Sequence, residues 1–131
     1  MILRLSDSSK GTAMELNLSH ESGYVLAGTS GPIDDSADDL FREYLHPLVG
    51  QPGTNVILDL SKSNFITSKG LGQLVSLTVH ANTNSSRVIL AGCTPFLAVV
   101  LDRSKLTQFF EIVPSTADAI RRILDRMKDE R

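Results

Sequence analysis

The sequence predicts a single α/β domain with a mixed, mostly parallel sheet, about four helices and the element order ββαβαβαβα. Three observations carry this reading. Residues 56–60 (Val-Ile-Leu-Asp-Leu) and 87–92 (Arg-Val-Ile-Leu-Ala-Gly) are short, nearly continuous aliphatic runs, the mark of strands covered on both faces. Between them Leu71, Leu74, Val75, Thr78 and Val79 recur at helical spacing, so a right-handed crossover should join two parallel strands. The chain has 131 residues, 41% of them apolar. A chain of that size buries roughly two-thirds of its unfolded surface, enough for one core without a disulfide or structural metal.

The elements follow in order. Residues 1–13, with Ser6-Asp7-Ser8-Ser9-Lys10-Gly11, read as a flexible lead-in to a domain over 14–131. Met14, Leu16 and Leu18 alternate with polar residues, and after Glu21-Ser22-Gly23 a second β-rich run covers 24–29, giving two adjacent strands and a tight turn. Leu40, Phe41, Tyr44, Leu45, Leu48 and Val49 then form the stripe of an amphipathic helix, capped by Asp35 or Ser36 and ended by Gly50-Gln51-Pro52-Gly53. The crossover unit follows, its helix starting at Thr67 or Ser68. Pro95 suits the first position of a short helix over 96–103, and 109–113 (Phe-Phe-Glu-Ile-Val) reads as the last strand. Ser115-Thr116-Ala117-Asp118 resembles a capping box with Asp in place of Glu, leading into a terminal helix with Ile120, Ile123, Leu124 and Met127 on one stripe.

Composition excludes several functional classes. The single cysteine, Cys93, rules out an internal disulfide, and with only three histidines it offers no four-ligand zinc cluster. The longest apolar run falls far short of the roughly 20 residues that span a bilayer, and the first residues lack the apolar core of a signal peptide. A formal charge of −2 leaves no basic footprint for nucleic acid. The expectation is a cytoplasmic protein with neither membrane nor nucleic-acid partner.

Candidate chemistry belongs at the carboxyl ends of the strands, where loops feed helix N-termini. Thr67 and Ser68 stand at such a start: one can cap the helix, and a hydroxyl there can also accept a phosphate, whose charge a helix N-terminus favours. Gly70 and Gly72 allow close packing and complete neither nucleotide fingerprint. Cys93 precedes the next helix, but no arginine closes a short phosphate loop around it, and a structural thiol is the simpler reading. Asp34, Asp35, Asp38 and Asp39 crowd the first helix start, as a stabilising face, an acidic partner edge or a weak magnesium site. His20, His46 and His80 show no paired spacing. No metal, cofactor or catalytic centre is expected.

Four stretches together resemble STAS domains, the domain of anti-sigma-factor antagonists and of sulfate-transporter tails. Val56-Ile57-Leu58-Asp59-Leu60-Ser61 is similar to the family strand V-[IL]-[IL]-D-L-S, and Thr67-Ser68-Lys69-Gly70-Leu71 to D-S-[ST/A]-G-[LI]. Gly31-Pro32-Ile33-Asp34 is similar to G-x-[IL]-D, and Leu90-Ala91-Gly92-Cys93-Thr94-Pro95 to L-x-G-x-[ST]-P. The match spans residues 14 to 128 in the family's order. It departs at Thr67, in place of an aspartate, and at Lys69, in place of a small residue.

The resemblance implies a non-enzymatic, protein-binding regulator of transcription whose partner is both anti-sigma factor and serine kinase. That partner phosphorylates Ser68, or alternatively Thr67, and then lets go. Asp34, Asp35, Thr67, Ser68, Lys69, Gly70 and Thr94 are the implied partner-binding residues, and a weak homodimer is the expected self-association. Two alternatives stand beside it: an unphosphorylated scaffold subunit of a stressosome-like or lipid-transport assembly, and an enzyme using Cys93 as nucleophile.

Overall fold

The computed structural model describes residues 2–6 and 14–129. Six strands form one sheet in sequential order: β1 (Ile2–Ser6), β2 (Glu15–Glu21), β3 (Tyr24–Ser30), β4 (Asn55–Lys62), β5 (Arg87–Ala91) and β6 (Glu111–Val113). The pairs β1·β2 and β2·β3 are antiparallel; β3·β4, β4·β5 and β5·β6 are parallel. Five strands were expected. The additional one, β1, lies inside the segment read as a flexible lead-in, where Leu3 pairs with Leu18 and Leu5 with Leu16. The open edge of β2 supplies the ladder on which it forms. Met1 and residues 7–13, the rest of that lead-in, lie outside the described residues, as do residues 130 and 131.

Four helices complete the fold. The first, α1, begins as Ala37–Leu40, widens into a π-helical turn at Phe41–Leu45 and finishes as His46–Val49. The cause of the widening is Pro47, which has no N–H and crowds the carbonyl one turn back. The His46 N–H accordingly donates to the Phe41 carbonyl, five residues behind. Then come α2 (Ser68–Thr83), α3 (Pro95–Arg103) and α4 (Thr116–Asp129). The last strand is shorter than its sequence pattern: Phe109 and Phe110 pack edge to face in the turn before it.

Right-handed crossovers that always step the same way along a sheet place their helices on one face. Here α1, α2 and α3 do so, closing a core in which Met14, Leu16, Ile33, Phe41, Leu45, Leu58, Leu60, Leu77 and Leu90 are completely buried. The opposite face carries α4 alone. Ala119 and Ile123 seal Ile57, Ile89, Ala91 and Val113 there, with Tyr24 and Leu26 at the margin. The near-continuous runs of β4 and β5 are thus buried from both sides, as their composition requires.

Candidate functional site

The loops after β3, β4 and β5 meet at one end of the sheet. Two of them are stitched together along their backbones: Gly31 N–H donates to the Lys62 carbonyl at 3.0 Å, Ile33 N–H to Phe65 at 2.9 Å, and Thr67 N–H to Ile33 at 3.1 Å. Ile33 and Ile66 form a parallel bridge. Beneath them the buried hydroxyls of Thr29 and Ser63 share a hydrogen bond of 2.7 Å. Thr94 Oγ1 donates to the Ser63 carbonyl at 3.2 Å, which ties in the third loop. Ser63 is therefore the junction of all three loops. Nothing in its sequence context singled it out.

Thr67 caps α2: its backbone is extended and its Oγ1 accepts the Gly70 N–H at 3.1 Å. Thr94 caps α3 in the same way, accepting from Leu97 at 3.4 Å, with Pro95 at the first helical position. Ser68 follows Thr67 in the first turn of α2 and is exposed. Its hydroxyl makes no hydrogen bond among the described residues. Gly70 is buried, and a Cβ added to it would lie 1.8 Å from the Ile33 carbonyl oxygen. Only hydrogen fits, so the motif glycine presses the start of α2 against the loop carrying Asp34 and Asp35. Gly92 turns with a φ of +69°, a left-handed conformation, close over Ser61 and Asp59.

The acidic cluster is largely engaged locally. Asp34 Oδ1 accepts the Ser36 N–H at 2.9 Å and the Ser36 hydroxyl at 2.6 Å, and Ser36 Oγ in turn accepts the Met14 N–H at 3.0 Å. Ser36, one of the two residues expected there, stands at the N-cap of α1; its side chain makes no cap bond, and Asp34 builds an Asx turn just before it. Asp38 pairs with Arg42 at 3.0 Å, and Asp39 pairs with the same guanidinium. Asp35 faces solvent, with Lys69 Nζ 3.8 Å away across the two loops. Of the positions expected at a partner surface, Asp35, Ser68 and Lys69 are exposed, Asp34, Thr67 and Thr94 half-buried, and Gly70 buried.

An aromatic pair borders the site. Phe65 and Phe96 stack with ring centroids 5.8 Å apart although each is close to half exposed (49% and 45%). Sequence reading missed it because the two rings sit 31 positions apart, one in a loop and one on a helix. Cys93 is half-buried, and burial pushes its thiol up, a backbone hydrogen bond opposing. That is the reverse of what a nucleophilic thiolate requires. Among the described residues no His, Cys, Asp and Glu cluster could hold a metal ion. No helix among them is long and apolar enough to cross a membrane.

The STAS domain family matches residues 15–119. A STAS-domain containing protein of Pseudomonas aeruginosa (strain UCBPP-PA14) is 30% identical over 82 residues, which cover 63% of this chain and 80% of that protein. Among solved structures, an anti-sigma factor antagonist from Mycobacterium paratuberculosis superposes with a TM-score of 0.73 at 20% identity, covering 91% of this chain and 98% of that one. The Bacillus cell fate determinant SpoIIAA in its phosphorylated form gives 0.65 at 20% identity, covering 82% and 98%.

Proposed function

The chain belongs to the STAS domain family, and from that membership we propose that it is a protein-binding switch of the anti-sigma-factor-antagonist kind, set by phosphorylation of Ser68. The partner in this reading is an anti-sigma factor with serine-kinase activity. The unphosphorylated chain captures it, and the phosphorylated chain releases it. The observation that carries the assignment to Ser68 is the division of labour in the first turn of α2. Thr67 spends its oxygen on the Gly70 amide, while the next hydroxyl is exposed and unengaged.

A phosphate there adds about −1.5 to −2 charges. Set at the centre of a contact surface, that charge must be desolvated and is repelled by acidic groups of the partner, so association weakens while the fold changes little. Asp35, Ser68 and Lys69 would meet the partner directly, with Asp34, Thr67, Gly70 and Thr94 holding the loops in shape. Fold likeness to a protein solved in its phosphorylated form supports this reading. Lys69 also favours a second one. An ammonium beside the acceptor changes which kinase the site suits, and a copy that is never phosphorylated would serve as a scaffold subunit.

Affinity capture from native lysate with Mg-ATP separates the two. The switch predicts one added phosphate at Ser68, none on Ser68→Ala, and a captured ATP-binding partner that Ser68→Asp loses. Equal phosphorylation of Ser68→Ala, or the same stable partner on Ser68→Asp, would refute it.

A further inference from the structure

Two histidines far apart in sequence meet at the other end of the α1·α2 contact. His46 begins the last turn of α1 and His80 lies in the last turn of α2. Their rings stack with centroids 5.0 Å apart and 24° between planes, and the two Nδ1 atoms are 2.8 Å apart. Both residues are half-buried.

A contact of that length between two ring nitrogens requires a proton on one and a lone pair on the other. The neutral pair satisfies this with one Nδ1–H and one Nε2–H tautomer. A first extra proton can enter at the free Nε2 of the donating ring, and the Nδ1–H···Nδ1 bond survives with added charge assistance. A second must take the remaining Nδ1 lone pair. Two N–H groups, and two cations, then point at each other.

We propose that His46 and His80 form a proton-counting clamp, which fastens the last turn of α1 to α2 while the pair holds at most one extra proton and releases it when both rings are charged. The segment it holds has an irregular backbone, although Val49 anchors it in the core. Pro47 contributes no N–H, and the turn before it is opened into π geometry. Burial and the neighbouring His80 hold His46 below the ordinary histidine range, while the Asp38 carboxylate works in the other direction. That carboxylate, two turns back on α1, is shared with Arg42, which also binds Asp39. From the loop after α1 the neighbour is Gly50, uncharged, where a Cβ would meet the His80 ring at 3.6 Å.

The clamp makes no use of Ser68 and stands apart from the switch. Its test is a nitrogen and proton NMR titration of the full chain from about pH 8 to about pH 5, with amide exchange read at Leu48, Val49 and Gly50. The exposed His20 is the internal reference. The clamp predicts two coupled steps for the pair, the second at least about one unit below His20. Opening at those three amides should rise about tenfold on acidification while Leu58 and Leu90 stay protected. In His80→Asn the three amides should be open at both ends of the range. Independent titration of both rings alongside His20, or unchanged protection of the three amides in the wild-type chain, would overturn the proposal. So would retention of the wild-type pH response in His80→Asn.

Discussion

At Gly70 a single missing methyl decides whether the loops after β3 and β4 can share one end of the sheet. The Ile33 carbonyl that an alanine would strike is fixed by its bond from Thr67, and the Ile33 N–H by its bond to Phe65, so neither side can retreat cheaply. Gly70→Ala should therefore destabilise by about 3 kcal/mol or more, the upper end for an overpacked site, visible as a lower urea midpoint at unchanged slope. An unshifted midpoint would mean that the loops part easily. The glycine itself was legible from its motif; the carbonyl it faces, 37 positions earlier, was not. The same holds for most of the site. Thr67 as a cap, and the meeting of the strand-end loops, follow from local pattern. Ser63 as a junction, the Phe65–Phe96 stack and the His46–His80 contact arise only from three-dimensional packing of positions about thirty residues apart, for which no periodicity exists.

Among the elements, β6 has the least of its own to hold it. It is three residues long and lies at the sheet edge. Glu111 supplies the attachment, accepting from Arg87 Nε and Nη2 at 2.7 and 2.5 Å and from Arg122 Nη1 at 3.3 Å. One carboxylate thus joins β6 to β5 and to α4. Burial raises the affinity of Glu111 for a proton, but the hydrogen bonds and charges of the two arginines outweigh it and leave the carboxyl below the ordinary glutamate value. A group depressed in the folded state stabilises above its unfolded pKa and loses that contribution as pH falls through the folded one. Stability should decline on acidification below the ordinary glutamate range, and Glu111→Gln should flatten that decline while costing about 2 kcal/mol at neutral pH. Thermal unfolding across an acid series reads both effects. A parallel acid dependence in the variant would assign the loss elsewhere. The acidic side chain was visible in the sequence as an interruption of an apolar run. Its two partners, 24 positions before and 11 after, were not.

For the whole molecule the unequal cover of the sheet matters most. Three helices guard one face and one guards the other, so the second core rests on a few α4 side chains. Ile123, 1% exposed, is the largest completely sealed residue of that helix, and Ile123→Ala should cost about 2–5 kcal/mol, measurable by denaturant unfolding. A cost near zero would show that the face closes without it. The alternation of strands and helices made this architecture readable from the chain, while β1 escaped because its edge position leaves it too little pattern of its own. The strand order has a further effect. Each strand lies beside the one synthesised just before it, so the sheet can be laid down from one edge to the other as the chain leaves the ribosome. No strand waits for a distant partner, and the loop-closure entropy of each addition is confined to one crossover. The face that α4 seals is the last to be covered, and until that helix emerges the nascent sheet carries its apolar side open to water.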